Sequence, residues 1–216
     1  MKSSGPVCVE SVFTNPAEVL EFWFGAAPPT DLAGLSMTGK WFAKSDAFDN
    51  LVRERFGVVI EAALKGKLDE WAKEPFGWLA LLVVLDQFTR NVYRGRPESF
   101  AGDAAALHWA EYGASQGWDR ALPLMTRPFT YLPLEHAEDL RRQDRSVAAF
   151  EALLAEAIRS GVPEEMLELF RSYLDFAERH RDVIRSFGRF PHRNAILNRI
   201  STDAELEYLA QPGAGF

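Results

Sequence analysis

The chain has 216 residues, of which 47% are hydrophobic, and its formal net charge at pH 7 is -7. This length and apolar content predict a single domain with its own hydrophobic core and argue against intrinsic disorder. Because acidic residues outnumber basic ones, the composition also argues against broad electrostatic binding to nucleic acid or to an anionic membrane.

Apolar residues recur at helical spacing along most of the chain, and several segments start with a capping residue and stop at glycine. The clearest starts are Asn15-Pro16-Ala17-Glu18 and Thr202-Asp203-Ala204-Glu205, which match the capping-box pattern. No segment alternates with period two, so no sheet is predicted. The predicted helices are about 15–24, 45–65, 75–90, 99–116, 132–142, 146–160, 164–187, 191–199 and 202–210, and a single continuous helix is the alternative for 132–142 and 146–160.

The pattern therefore predicts an all-α fold, arranged as a single-domain helical array. Residues 1–14 are interpreted as an N-terminal lead-in, residues 15–210 as the helical domain, and residues 211–216 as a C-terminal tail. Residues 26–39 and 117–130 are predicted to be irregular, since they are rich in loop-forming residues or lack helical spacing.

Cysteine content and hydropathy bear on the compartment. With Cys8 as the only cysteine, one chain forms neither a disulfide framework nor a cysteine-based zinc site. The longest apolar run, residues 78–85, is too short to span a bilayer, and residues 1–13 lack the apolar segment of a signal peptide. We therefore expect a cytoplasmic protein.

A polar stripe follows directly on the most apolar predicted helix. Asp86, Arg90 and Arg94 lie four residues apart and therefore share one helix face, with Gln87 and Asn91 beside them. A stripe that continues from a buried helix is expected to be partly buried, and buried charges are paired or face a ligand. An Asp86–Arg90 ion pair that joins two helices is the structural alternative.

A second polar cluster surrounds His136. Glu135, Glu138 and Asp139 share one helix face, and Gln143 shares another with His136. A histidine near carboxylates suits a general base or a metal ligand, but the His-Glu-x-x-His spacing of zinc proteases is missing. We predict no metal and no cofactor, and a surface acidic cluster with an ordinary histidine is the structural alternative.

The third polar cluster gives the most specific prediction of a ligand site. Between residues 183 and 202 there are four arginines, one histidine and no acid. Pro191 is predicted to begin a helix, whose free N-terminal amides add to the positive charge and favour an anion site. Pairing of these arginines with the acids near His136 is the alternative. The predicted ligand-binding residues are Arg90, Arg94, Arg189, His192, Arg193 and Asn194.

Five stretches of the chain, taken together, resemble a bacterial family catalogued as domain of unknown function 924. The resemblance implies an all-helical fold akin to the tetratricopeptide superhelix, and it implies no established activity. The family usually has serine at the position of Ala137 and glycine at the position of Asn198. The matching stretches are Val19-Leu20-Glu21-Phe22-Trp23-Phe24-Gly25, Trp41-Phe42, Leu85-Asp86-Gln87-Phe88-Thr89-Arg90-Asn91, Tyr131-Leu132-Pro133-Leu134-Glu135-His136 and Phe187-Gly188-Arg189-Phe190-Pro191-His192-Arg193-Asn194.

Three functions remain open. The residues favour a binding module whose arginine- and histidine-rich site holds a small anion or a carboxylate-bearing peptide. The second is an enzyme with an acid/base pair and arginines that stabilise negative charge. The third is a structural charge network without a ligand. No nucleic-acid or membrane partner is expected. The catalytic candidates are His136, Glu135, His192 and Asp86, and the supporting residues are Asp86, Gln87, Asn91, Glu138 and Asp139.

Overall fold

The computed structural model describes residues 15–215, and all regular structure in that range is helical, which confirms the all-α prediction. The predicted lead-in at residues 1–14, with Cys8, and the final residue of the predicted tail lie outside the described residues. The α-helices are α1 Pro16–Phe24, α2 Asp31–Trp41, α3 Asp46–Leu64, α4 Pro75–Leu82, α5 Thr89–Val92, α6 Asp103–Ser115, α7 Pro128–Glu135, α8 Leu140–Ser160, α9 Glu164–Phe187 and α10 Asp203–Leu209. A π-helical segment, Val83–Phe88, joins α4 to α5, and short 3-10 helices cover Asp69–Lys73, Pro97–Phe100, Trp118–Ala121, Leu124–Thr126 and Pro191–Arg193.

Capping residues set many of the helix ends where the sequence predicts them. The Asn15 side chain accepts a hydrogen bond from the amide of Glu18 at the start of α1. Both halves of the predicted capping box are present between Thr202 and Glu205 at the start of α10. Helix α9 has the predicted bounds and ends at Gly188, whose φ is 69°. These ends follow from local chemistry, which is why the sequence predicts them.

Residues 31–41 form α2, so the prediction of a loop at residues 26–39 was wrong for most of that range. Thr30 caps α2 by accepting a hydrogen bond from the amide of Ala33. At the other end Trp41 is buried, and its Nε1 donates to the carbonyl oxygen of Trp23 over 2.8 Å. Tertiary burial therefore stabilises a helix whose glycine and serine content makes it weak in isolation.

Of the two alternatives for residues 142–146, a break or a continuous helix, the structure has the continuous one, since α8 runs from Leu140 to Ser160. Asp139 lies at its N-terminus and accepts a hydrogen bond from the amide of Arg142. The helix before it, α7, begins at Pro128 rather than near residue 132, since proline suits the first helical position. Similarly, α6 begins at Asp103 and not at residue 99.

The predicted helix at residues 191–199 is only one 3-10 turn, Pro191–Arg193, followed by further turns. Asn198 has a φ of 54°, in the left-handed region where helices end. Asparagine tolerates this region, and glycine adopts it most readily. This explains why the family that the chain resembles usually has glycine at this position.

Helix α4 lies at the centre of the core and contacts α1, α6 and α7. All of its residues from Trp78 to Leu82 are fully buried, as its uniformly apolar sequence predicts. Helices α8 and α9 pack against each other as a hairpin at one side. Among residues 15–215, no helix combines the length and the apolar character needed to cross a bilayer.

A close backbone approach at Gly102 joins α6 to the π-helical segment. A Cβ atom placed on Gly102 would lie 2.0 Å from the carbonyl oxygen of Leu85, so only glycine fits. This contact brings Asp103, the first residue of α6, beside Arg90 on α5, with 2.9 Å between Asp103 Oδ1 and Arg90 Nη1. The packing of two backbones therefore positions a pair of charged side chains.

We expect Gly102→Ala to lower the free energy of unfolding by about 2 kcal/mol or more, because the added methyl must separate two packed backbones. Gly57→Ala is the matched control: Gly57 lies in α3, and its Cβ would meet nothing within 4 Å. There the higher helix propensity of alanine should stabilise the protein by up to about 1 kcal/mol. Urea denaturation of both variants tests this. Equal stabilities would contradict the close approach.

Candidate functional site

The three polar clusters meet around one cavity of about 540 Å³, a size typical of small-molecule sites. The π-helical segment and α5 contribute Gln87 and Arg90, the end of α7 contributes His136, and the turn after α9 contributes His192 and Arg193. Charged groups among large apolar neighbours need one another as partners, which is the physical reason for their convergence.

Apolar side chains form most of the remaining cavity wall. They come mainly from the end of α2, from α7 and from the cavity-facing side of α9. Phe42 and Phe176 are partly exposed, so one side of this wall reaches the protein surface. The cavity therefore has an apolar body and a polar end. The apolar and aromatic wall residues are Trp41, Phe42, Phe100, Leu132, Leu169, Tyr173, Phe176 and Ile196.

Asp86 is the most buried acid of the site, with 1% of its surface exposed. Its Oδ1 lies 2.7 Å from His136 Nδ1 and 3.0 Å from Arg90 Nη1, and its Oδ2 accepts a hydrogen bond from Gln87 Nε2 over 2.6 Å. Burial opposes its charge, but Arg90 and His136 outweigh burial and hold the pKa of Asp86 well below its usual range. Asp86 is therefore an ionised carboxylate.

His136 is a neutral imidazole whose orientation Asp86 fixes. Burial and the charge of Arg90 lower the pKa of His136 from its ordinary value. Because an ionised Asp86 only accepts hydrogen bonds, the proton of His136 lies on Nδ1 and Nε2 carries a lone pair. Among the described residues, the imidazole of His136 hydrogen-bonds only to Asp86, and the ring lines the cavity.

Asp103 bridges two guanidinium groups at the cavity. Its Oδ1 lies 2.9 Å from Arg90 Nη1, and its Oδ2 accepts a hydrogen bond from Arg193 Nη1 over 3.2 Å. The contacts of Arg90 with Asp86 also pass through Nη1. Arg90 Nη2 and Arg193 Nε are buried and donate to no acceptor among residues 15–215. Each of the two arginines therefore keeps one buried N–H donor that no described acceptor satisfies.

Arg193 is held by aromatic stacking as well as by Asp103. Its guanidinium carbon lies 4.7 Å from the ring centroid of Phe100 and 4.5 Å from that of Phe190. Burial and the charge of Arg90 lower the pKa of Arg193 to about 10, so it remains a cation at neutral pH. Cation–π contacts with two rings restrict the position of the guanidinium, which suits directed recognition of an anion.

Glu135 and His180 form a neutral pair rather than an ion pair. Burial and the nearby charge of Asp86 raise the pKa of Glu135 to about 8. Burial and the nearby His136 lower the pKa of His180 to about 2. His180 Nδ1 donates to the carbonyl oxygen of Phe176 over 2.8 Å and lies 3.2 Å from Glu135 Oε1. At neutral pH the acid is therefore protonated and the imidazole uncharged.

His180, Asp49 and Asp103 contact the site but are not among the residues predicted from the sequence. His180 lies on the buried face of α9, three residues after Ala177, and a histidine on an apolar face was the available signal. Asp49 accepts a hydrogen bond from Asn91 over 2.7 Å and pairs with Arg94 over 2.8 Å. Nothing local to Asp49 or Asp103 in the sequence indicates these partners.

Two of the predicted ligand-binding residues lie outside the cavity wall. Arg189 forms two hydrogen bonds with the carboxylate of Glu205, at 2.6 and 2.8 Å. Asn194 donates to Ser201 and accepts from Arg199. The contact between Arg189 and Glu205 attaches the turn after α9 to α10. The alternative of pairing with the acids near His136 holds for Arg199, which pairs with Glu138, and not for Arg189.

Glu138 and Asp139, predicted as supporting residues, also have structural partners. Glu138 accepts two hydrogen bonds from Arg199 and one from the amide of Phe190. Asp139 caps α8. Both residues therefore hold the segments that carry His136 and Arg193 without lining the cavity themselves.

The raised pKa of Glu135 makes stability depend on pH. The folded protein keeps this proton where the unfolded chain has released it, so the contribution is full below about pH 4.5 and is lost as pH rises through about 8. The lowered pKa values of His180 and His192 affect the stability only at pH values below the ordinary pKa range of histidine. Between pH 7 and 9, the titration of Glu135 therefore contributes more to the pH dependence of stability than that of His180 or His192.

We expect the wild type to lose stability from pH 7 to pH 9, at no more than about 1.4 kcal/mol per pH unit, and Glu135→Gln to remove that slope. Urea denaturation at pH 7, 8 and 9 measures it. Glu138→Gln is the control, because Arg199 and the Phe190 amide lower the pKa of Glu138 despite its partial burial, so its effect lies at acidic pH. A wild-type stability that stays flat over this window would show that Glu135 is ionised at neutral pH.

Comparison with known proteins gives a family and a fold but no activity. A family model described as bacterial protein of unknown function (DUF924) matches residues 19–213. A solved structure of a protein of unknown function from Agrobacterium tumefaciens has 36% sequence identity and a TM-score of 0.75, and the match covers 91% of this chain and 97% of that one. A search of curated proteins found no match.

Proposed function

The chain belongs to the bacterial protein family of unknown function DUF924, and we propose that its cavity binds a small carboxylate with an apolar body. One observation carries the proposal. Two guanidinium groups of the cavity wall, Arg90 and Arg193, share the carboxylate of Asp103 and keep buried N–H donors without an acceptor among the described residues. Such donors are strongly favoured to bind an anion, since unsatisfied buried donors are costly.

The charges that face the cavity support an anionic ligand. Among residues 15–215, its lining contains the cations Lys44, Arg90, Arg94 and Arg193 and a single acid, Glu135, which is neutral at pH 7 because its pKa is raised to about 8. The carboxylates that pair with these arginines belong to residues outside the lining. A carboxylate entering the cavity therefore meets guanidinium forks before it meets negative charge.

The apolar wall selects the rest of the ligand. Phe42, Leu169 and Phe176 offer contacts to a hydrocarbon chain or an aromatic ring, and they have no charge to offer a second ionised group. Monocarboxylates with a short aliphatic or aromatic body, including the C-terminus of an apolar peptide, therefore fit better than phosphate, sulfate or dicarboxylates. We propose no nucleic-acid or membrane partner, and the cytoplasm remains the proposed location.

A thermal-shift titration tests this function. Hexanoate and phenylacetate should raise the melting temperature of the wild type more than phosphate, sulfate, succinate or the neutral analogue hexanol. Binding of the native state at one hundred times Kd stabilises it by about 2.7 kcal/mol, which is readily measured. Isothermal calorimetry then gives the affinity directly.

Variants of two arginines from the same turn provide the matched comparison. Arg193→Met keeps the length of the side chain and removes the guanidinium from the cavity, so it should abolish the stabilisation by hexanoate. Arg189→Met should keep it, because Arg189 pairs with Glu205 outside the lining. The proposal fails if no carboxylate stabilises the wild type, which would favour the purely structural charge network, or if folded Arg193→Met responds as the wild type does.

A further inference from the structure

We infer that this cavity is also a hydrolytic site, in which Asp86 and His136 act as a general-base pair that activates water to cleave a carboxylic ester. The inference rests on the proposed function, because the acid released from the ester is the carboxylate that the cavity would bind. It goes beyond binding by assigning a bond-breaking role to His136. The geometry that carries it is the 2.7 Å contact between Asp86 Oδ1 and His136 Nδ1 at the polar end of an apolar cavity.

Asp86 and His136 have the arrangement that general-base catalysis requires. Asp86 is held on the π-helical segment by Gln87 and Arg90, so its carboxylate is fixed before any substrate binds. It accepts the Nδ1–H of His136, which leaves the Nε2 lone pair available on a ring that lines the cavity. An acid that orients a neutral imidazole in this way selects the tautomer that removes a proton from a nucleophile.

Water is the nucleophile that this site accommodates. No hydroxyl or thiol of residues 15–215 hydrogen-bonds to His136, so no described serine, threonine or cysteine is placed for attack. The cavity-lining Ser99 donates its hydroxyl to the carbonyl oxygen of Arg96. A direct attack by water avoids a covalent intermediate with the protein.

Arg90 and Arg193 line the same cavity as His136 and can supply positive charge to the oxyanion that develops during such an attack. When water adds to an ester carbonyl, the carbonyl oxygen becomes an oxyanion, which needs preorganised donors. Arg90 Nη2 and Arg193 Nε are buried donors without a described acceptor. Glu135, which is protonated at neutral pH, adds no negative charge to oppose the oxyanion.

The reaction balances without any further reactant. The water oxygen bonds to the acyl carbon, a water proton passes to His136 Nε2, and the carbonyl electron pair moves to oxygen. On collapse the bond between the acyl carbon and the alcohol oxygen breaks, and the imidazolium returns its proton to that oxygen. The products are an alcohol and a carboxylic acid, which releases its proton to solvent and binds to the guanidinium groups as a carboxylate.

The test follows release of p-nitrophenolate from p-nitrophenyl hexanoate by the full chain. His136→Gln should lower kcat/KM at least about a hundredfold, the ordinary contribution of a general base. His108→Gln is the control, because His108 is an exposed histidine on α6 outside the cavity lining, and it should hydrolyse the ester as the wild type does. The wild-type kcat/KM should fall in acid with an apparent pKa below the ordinary value for histidine.

Hexanoate binding, measured on the same proteins by thermal shift, separates the two proposals. His136→Gln should still be stabilised by hexanoate, which also shows that it is folded. Hexanoate binding by a wild type that does not cleave the ester above the rate of His136→Gln would overturn the hydrolytic inference alone. Cleavage that depends on His136 without hexanoate binding would overturn the binding proposal alone. Equal losses in His136→Gln and His108→Gln would also refute the inference.

Discussion

Asp86→Ala should lower the free energy of unfolding by about 3–5 kcal/mol, because it removes one partner of a buried ion pair. Arg90 would lose the more deeply buried of its two carboxylate partners, and His136 and Gln87 would each lose the acceptor of a short hydrogen bond. Arg90 would then share Asp103 with Arg193 as its remaining acidic contact. Urea denaturation at pH 7 measures the loss.

Asp49→Ala is the matched control, since Asp49 is also a buried aspartate with an arginine and an amide as partners. Its arginine, Arg94, has 41% of its side chain exposed, so water can solvate the charge that the substitution leaves behind. We expect a loss of only about 1–2 kcal/mol there. Equal losses in the two variants would show that the burial of Asp86 does not set the strength of its ion pair.

The effect of Asp86 on stability has a defined pH range. Its folded-state pKa is held below the ordinary value of 3.8, so its contribution is fully present above about pH 4 and is lost as the pH falls through the folded-state pKa. The loss caused by Asp86→Ala should therefore persist from pH 5 to pH 8, and it should shrink toward pH 8 only by the part of the Glu135 pKa shift that Asp86 causes. A difference that disappears near pH 6 would instead indicate that a histidine carries it.

Asp103→Asn should strengthen the binding of carboxylates by at least about tenfold while it destabilises the protein without ligand. Asp103 neutralises part of the charge on both Arg90 and Arg193, and the substitution removes that charge but keeps the shape of the side chain. A unit charge about 6 Å from the ligand contributes roughly 2–3 kcal/mol at an effective dielectric constant of 20. A tenfold change in affinity requires about 1.4 kcal/mol of this electrostatic energy.

Calorimetric titration of hexanoate into wild type, Asp103→Asn and Asp144→Asn tests this prediction. Asp144 is exposed on α8 and outside the cavity lining, so its neutralisation lowers the net negative charge by the same amount without freeing an arginine. It should leave the affinity nearly unchanged, because solvent screens a distant surface charge. Weaker binding by folded Asp103→Asn would mean that Asp103 itself contacts the ligand or that the anion binds elsewhere.

The sequence predicts the parts of this protein that local chemistry controls. Helix caps at Asn15 and Thr202 and the apolar run of α4 are visible as short patterns, and they appear where predicted. The loop predicted in place of α2 was wrong because Trp41 stabilises that helix through a distant contact with Trp23. The tetratricopeptide-like arrangement of the helices stays a prediction.

For the candidate site, the sequence identifies the clusters but not their pairings. The contact between Asp86 and His136 joins residues 50 apart, and that between Asp103 and Arg193 joins residues 90 apart. Arginines and acids are chemically equivalent until the fold decides which of them meet. Therefore Arg189, predicted to bind ligand, pairs with Glu205, whereas Asp103, which was not predicted, bridges two cavity arginines.

The number of residues in the π-helical segment determines the direction in which the arginines that follow it point. In an α-helix each residue turns the chain by about 100°, and a π turn accommodates one residue more than the α-helical register allows. Deleting one residue from Val83–Phe88 would restore a regular helix and keep its apolar composition, yet it would rotate Arg90 and Arg94 away from the cavity. The number of residues in this segment therefore specifies the direction of the cavity arginines, separately from the hydrophobicity that specifies the fold.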